Sequence, residues 1–246
     1  MSKIALVTGC TGGIGTAICR ALCLQGPRVV ATYHSGGEAR AAAWQREMQA
    51  QSFEVDVYPV DIGDFASCQQ LIERISADIG AVDILVNNAG ITRDSTLKKM
   101  SVENWLAVIN TDLNGVFNMT RQVFDGMLTR GWGRVVNISS VNGQKGQFGQ
   151  ANYSAAKAGV HGFTMAAAQE GARKGVTVNT VSPGYISTEM TLAVAEEVRQ
   201  QIIAQIPVGR MGTPEDIART VAFLCDEAAG YITGADFSIN GGLYMG

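Results

Sequence analysis

The chain is short of several things, and each shortage removes a class of protein. It has no basic excess: 19 Lys and Arg stand against 22 Asp and Glu, a net charge of −3. A nucleic-acid binder usually carries a basic stripe, so that class is disfavoured. Charged residues are only 17% and hydrophobic ones 46%. That is too apolar for a disordered chain and enough for a sizeable core. No apolar run reaches the ~20 residues that span a bilayer. No basic region with a cleavage site precedes the first apolar run, so no secretory signal is read. A soluble, cytoplasmic protein is the expectation. There is no CxxC, and the cysteines (Cys10, Cys19, Cys23, Cys68, Cys225) are odd in number. Cys19 and Cys23 share a helix face and could pair or bind metal. Small apolar helix residues in a reducing compartment is the simpler account, and no metal site is expected.

Proline is scarce, at 5 residues, while glycine is plentiful, at 29. Without a collagen period this suggests tight turns between regular elements. Apolar runs of strand length recur at 4–8, 28–33, 54–61, 83–86, 134–139, 176–181 and 236–239. Helical stretches lie between them, at 14–25, 38–51, 65–79, 101–130 and 151–174. Strands alternating with helices predict an α/β fold with a parallel sheet covered on both faces. Right-handed crossovers make it doubly wound, of the Rossmann type. At ~150 residues per domain the length fits 1.6 domains. No linker, repeat or composition shift divides it, so residues 1–246 are read as a single domain. Residues 184–214, bracketed by Pro183-Gly184 and by Pro207 and Pro214, fall outside the alternation. A helical flap over a substrate and an ordinary surface excursion both remain open.

Thr8-Gly9-Cys10-Thr11-Gly12-Gly13-Ile14-Gly15 joins the first strand to the first helix. Gly9 suits a tight turn, Gly13 a close pyrophosphate, and Gly15 close helix–sheet packing. The helix N-terminus then offers N–H groups and a positive dipole end to the phosphates. A dinucleotide is predicted. An acid at the end of strand two would select NAD, but that strand ends Ala31-Thr32-Tyr33-His34-Ser35. Arg40 follows within reach of a 2′-phosphate, which a guanidinium grips with two bonds. NADPH (NADP+) is therefore preferred over NADH, the alternative being that Arg40 is a plain solvated helix residue. His34 is too isolated to assign.

Tyr153 and Lys157 are four apart on a helical stretch and share a face. A nearby ammonium favours phenolate, so such a tyrosine can exchange a proton with a carbonyl oxygen. Ser140 ends the fifth strand, at the edge that faces the ligand crevice.

The glycine loop, Asn87-Asn88-Ala89-Gly90, Ser140, Tyr153-x-x-x-Lys157 and Pro183-Gly184 occur in this order. Together they resemble the short-chain dehydrogenase/reductase family along essentially the whole chain. The resemblance implies a seven-stranded parallel sheet and a homotetramer. It implies Tyr153 as acid/base, Lys157 on the nicotinamide ribose, and Ser140 on the substrate carbonyl. Asp61 and Ile62 would meet the adenine. Asn88, Ala89 and Gly90 would line the cofactor cleft, and Pro183, Gly184 and Ile186 would pass the nicotinamide. One position departs from the pattern. The family places an asparagine in its central helix to support a proton-relay water, and Asp112 stands there. An aspartate cannot donate like an amide, and its charge, which the resemblance places near Lys157, could alter the tyrosine's proton affinity. Activity is still expected, because the family role is largely backbone and water mediated.

Longer strings narrow the substrate. Residues 131–150, 182–186 and 240–246 resemble family members that reduce acetoacetyl-CoA for polyhydroxybutyrate synthesis. The alternative is a member acting on 3-oxoacyl groups held by acyl-carrier protein, and one of another class is a catalytically impaired cofactor sensor or scaffold. An acyl-CoA thioester is the expected partner, with no nucleic acid and no membrane. Gln147, Phe148 and Gln150 would border the acyl group, and Phe148 with Tyr185 would wall a four-carbon pocket. Asp94 would face the thioester end. Arg93, Lys98, Lys99 and Lys145 are candidates to meet the polyanionic CoA, though each is also readable as a solvated charge.

Overall fold

The computed structural model describes residues 2–192 and 195–246. Its strands are β1 Ile4–Val7, β2 Arg28–Tyr33, β3 Val55–Pro59, β4 Ile84–Asn87, β5 Gly133–Ile138, β6 Val176–Pro183 and β7 Asp236–Ile239. They form one 7-stranded parallel sheet in the order β3-β2-β1-β4-β5-β6-β7. These are the apolar runs read from the sequence, with ends shifted by a residue or two. The order reverses direction between β1 and β4, which opens a crevice at the carboxyl edge.

Two apolar layers hold helices against the sheet. Alternate residues of each strand supply them, because successive side chains point to opposite faces. Ala5 and Val7 of β1 face α1 (Gly13–Gln25), α2 (Glu38–Ala50) and α10 (Pro214–Cys225), where Ile18, Leu22, Met48, Ile217 and Leu224 are buried. Ile4 and Leu6 face the other layer. There α3 (Phe65–Asp78), α5 (Gly115–Arg130) and α7 (Ala151–Gly171) bury Leu71, Met119, Met127 and Ala168. Cys19 and Cys23 are free thiols on α1, and burial pushes the Cys23 thiol up to about 11. No described helix is long and apolar enough to cross a membrane.

Three local features differ from the sequence reading. First, the sequence reading places no helix at 214–225, where α10 forms. Thr213 caps it, with Asp216 returning the bond in a capping box and Pro214 at the first turn. Second, the stretch 101–130 is not one regular helix. Between α4 (Val102–Ile109) and α5 the chain widens into a π-helical turn, Asn110–Asn114. Such an extra residue rotates the side chains that follow it. Third, a short helix, α6 (Val141–Lys145), follows β5, and Ser140 is its N-cap.

Residues 184–214 carry α8 (Glu189–Leu192) and α9 (Glu196–Ala204). Residues 193 and 194 of that stretch lie outside the described residues. The two ends are stitched together: Ser187 N–H donates to Gly212 O at 2.8 Å and Gly212 N–H to Tyr185 O at 2.9 Å.

A polar ladder crosses the sheet beneath its carboxyl edge. Asn87, Asn137 and Thr180 are neighbours on β4, β5 and β6. Asn87 Nδ2 donates to Asn137 Oδ1 at 2.8 Å, and Asn137 Nδ2 to Thr164 Oγ1 of α7 at 2.9 Å. All four side chains are buried. Buried polar groups must be paired, so this ladder fixes register just before Asn88 and Ser140. Asn137→Ala leaves one N–H of the Asn87 amide unpaired, the other still held by Thr120 Oγ1 at 3.1 Å, and lowers stability by about 1–3 kcal/mol, the cost of an unsatisfied buried group. Urea unfolding measures this; an unchanged midpoint refutes the ladder's role.

Candidate active site

The loops after β1 to β6 enclose one cavity of about 1310 Å³. The residues the sequence assigned to the cofactor all line it: Gly9, Gly13, Ile14, Gly15, Arg40, Asp61, Ile62, Asn88, Ala89, Gly90, Tyr153, Lys157, Pro183, Gly184 and Ile186. Ser140, Gln150 and Tyr185 line it too.

Two glycines make the floor possible. Gly9 has φ +67°, and a Cβ there would come within 2.7 Å of the Ala89 backbone. At Gly15 a Cβ would sit 2.5 Å from Gly9 O. Asn88 ties the same corner, its Nδ2 donating to Thr8 O at 2.9 Å and Gly9 O at 3.0 Å. Thr8 Oγ1 accepts the N–H groups of Asn88 and Ala89, each at 3.0 Å. No side chain caps α1, so its first N–H groups are free to meet an anion. This uncapped helix end beside a close-packed glycine turn fits a dinucleotide pyrophosphate.

At the end of β2 the lining is Thr32, Tyr33 and His34, without an acid. Arg40 leans over from α2, its Nη2 donating to Thr11 O at 2.9 Å. That bond holds the guanidinium beside the glycine loop and leaves its other N–H groups available.

Ser140, Tyr153 and Lys157 reach the cavity from β5 and α7. Ser140 Oγ accepts the Asn142 N–H at 3.1 Å as the cap of α6, which leaves the hydroxyl proton to donate. Lys157 is buried at 3% exposure, and its Nζ lies 5.5 Å from the Tyr153 ring centre. Nζ donates to Ile138 O at 3.0 Å and pairs with Asp112 Oδ2 at 3.3 Å. Asp112 is wholly buried, and its Oδ1 accepts the Ile91 N–H at 2.8 Å. Burial pushes the Asp112 carboxyl up, against the pull of Lys157 and Ile91. Burial works against the Lys157 charge, but the Asp112 carboxylate, helped by Tyr153, outweighs it and holds the ammonium above its usual range.

Some residues the sequence grouped with the substrate stand apart. Phe148 is 86% exposed and does not line the cavity, so it forms no wall with Tyr185. It follows Gln147 in a turn outside the helices, with nothing apolar to cover it. Gln147 accepts from Lys145 Nζ at 2.9 Å and is also outside the lining. Asp94 acts at one remove: it accepts from Gln150 Nε2 at 2.9 Å, and Gln150 Oε1 accepts from Asn142 Nδ2 at 2.9 Å. Of the four candidate cations, Arg93 lines the cavity, while Lys98, Lys99 and Lys145 do not.

The cavity also includes residues the sequence reading missed, among them Thr11, Asn142, Thr188 and Thr191. Thr188 and Thr191 belong to the 184–214 segment, where Thr191 Oγ1 donates to Ile186 O at 2.7 Å. Asn142 had a legible signal, the Ser-x-Asn of a serine N-cap just past a strand. The two threonines had none, since only the folded segment brings them over the cavity.

Comparison with known proteins agrees with this geometry. The family model described as "short chain dehydrogenase" matches residues 3–199. An acetoacetyl-CoA reductase of Allochromatium vinosum is 57% identical over 245 residues, covering 100% of both chains. One from Cupriavidus necator is 55% identical over 99% of both. The 3-oxoacyl-[acyl-carrier-protein] reductase of Escherichia coli is 45% identical over 99% of this chain and 98% of its own. With this match over most of its length, a Rossmann-type parallel sheet and relatives alike from end to end, the chain belongs to the short-chain dehydrogenase family of oxidoreductases.

Proposed function

We propose that the protein is an NADPH-dependent reductase that converts acetoacetyl-CoA to (R)-3-hydroxybutyryl-CoA for polyhydroxybutyrate synthesis, working in the cytoplasm as a homotetramer. The observation that carries this reading is the 57% identity, end to end, with a relative named for that reductase activity.

The bound nicotinamide supplies the hydride. The chain's own groups manage the oxygen. Ser140 donates its free hydroxyl proton to the ketone oxygen, and Tyr153 donates the proton that completes the alcohol. Lys157 has three donors, and Ile138 and Asp112 take two, which leaves one for the cofactor ribose. Arg40 and the absence of a β2 acid in the lining support NADPH. Gln150, held by Asp94 and Asn142, and Tyr185 border the acyl group. Arg93 meets the CoA end, and the 184–214 segment serves as the substrate flap. Trp105, Leu106, Phe117 and Met165, exposed on α4, α5 and α7, offer apolar surface for a second copy to cover. A carrier-protein substrate is the competing reading, favoured by the 45% identity with the Escherichia coli reductase.

Steady-state rates with acetoacetyl-CoA and with acetoacetyl-acyl-carrier protein separate the two, and a strong preference for the carrier protein defeats the CoA assignment. Tyr153→Phe lowers turnover by on the order of 10²–10⁴-fold while NADPH still binds, as followed by cofactor fluorescence. Near-normal turnover would remove Tyr153 from the chemistry. Arg40→Ala raises the NADPH KM by about tenfold or more and leaves the NADH KM alone, the scale of a lost hydrogen bond to a charged group. An unchanged NADPH KM refutes the phosphate contact.

A further inference from the structure

Asp112 is a carboxylate with no solvent exposure, set against the ammonium on which the site depends. Gly90 covers the pair so closely that a Cβ there would come within 2.7 Å of Asp112 Oδ2 and 3.3 Å of Lys157 Nζ. Oδ2 has no counterpart among the described residues except that ammonium. The carboxylate reaches it because the π-helical turn Asn110–Asn114 carries Asp112 into the interior.

Few other charges face this pair. Tyr153 stands one turn back on α7; His161, one turn on, is held by Ser139 Oγ at 2.7 Å and lies 3.7 Å from Asp236 Oδ2 of β7; and β5 offers the neutral Ile138 carbonyl. The loop after β4 offers Gly90 and the Ile91 N–H. From α6, Gly143 lies against the Lys157 backbone, and Lys145 is turned to Gln147. On α4, Glu103 is exposed, and on α5 Arg121 pairs with Asp125 at 3.4 Å. β6, behind α7, carries no charged residue. The remaining charges on the cavity wall are Arg40, Asp61, Asp64, Arg93 and Glu189.

We propose that Asp112 is a positioning residue that compensates the Lys157 ammonium, and by doing so biases the site toward carbonyl reduction over alcohol oxidation. The proposal rests on the reductase reading and adds its direction. Ketone reduction consumes a phenolic proton, whereas alcohol oxidation needs a phenolate to receive one. A lone ammonium beside the phenol favours phenolate. An ammonium shared with a carboxylate presents a largely cancelled field, so the proton is kept to higher pH.

Asp112→Asn and Asp112→Ser both remove the charge while keeping an oxygen that can accept the Ile91 N–H. The test is the pH profile of kcat for acetoacetyl-CoA reduction and for 3-hydroxybutyryl-CoA oxidation. In both variants the falling limb of reduction and the rising limb of oxidation move to lower pH by about one unit or more. Rates lowered equally at every pH, with the limbs unmoved, would mean a merely structural role and overturn the proposal. Ultraviolet difference titration, each protein against its Tyr153→Phe counterpart, reads the same effect without substrate. Ionisation at lower pH in both neutral variants supports the proposal, and ionisation at the wild-type pH or above in either overturns it. That measurement decides the role of Asp112 even if acetoacetyl-CoA is not turned over, an outcome that counts against the substrate assignment alone.

Discussion

A parallel strand cannot be reached by a hairpin; the chain must cross over and return to the same end. That constraint governs this molecule. Every strand of the sheet leaves by the same edge, so the loops after β1 to β6 all meet along it. The direction of winding reverses between β1 and β4, and the loops part there into a crevice. Residues as distant in sequence as Gly9, Asn88 and Ser140 become walls of one cavity. The Asn87–Asn137–Thr164 ladder holds register just below it, so that each loop starts at a fixed height.

Lys157 is where the local interactions converge. An ammonium at 3% exposure is costly unless its donors are taken. Its neighbours take them: Ile138 from β5, Asp112 from the π-helical turn, and the open side toward the cavity. Ser139 Oγ also donates to the Lys157 carbonyl at 2.9 Å, which fastens α7 to β5 by backbone as well as side chain. The proposed acid, Tyr153, rides on the same helix one turn away. Asp112 thus balances the charge of this lysine, and Ser139 fastens its backbone.

Much of this was legible before folding. Glycine spacing placed the turn at Gly9 and the close packing at Gly15, because only a missing Cβ permits either contact. Strand period and apolar content identified β1 to β7. What escaped the linear reading shares one cause: it depends on where a segment lies relative to another. Asp112 reads as a departure from the family's asparagine with its charge near Lys157, and the π-helical turn and the direct pair it makes are seen only in the fold. Phe148 reads as an apolar wall by its nearness to Tyr153, yet its turn leaves it in solvent. Asp94 reads as facing the thioester end, yet it lies outside the cavity lining and accepts from Gln150. Thr188 and Thr191 enter the cavity only because Ser187 and Tyr185 are stitched to Gly212.

The sequence alone determined the seven strands, most of the larger helices and the cofactor turn, and its resemblance to a known family singled out Ser140, Tyr153 and Lys157. The strands, helices and turn follow from local rules, periodicity and turn chemistry. Tertiary structure decided which groups complete the site. The partner of a buried charge is whatever the packing brings within about 4 Å, and linear spacing says nothing about that distance across elements. So the family resemblance set the aspartate near the ammonium, and the fold made them a buried pair at 3.3 Å.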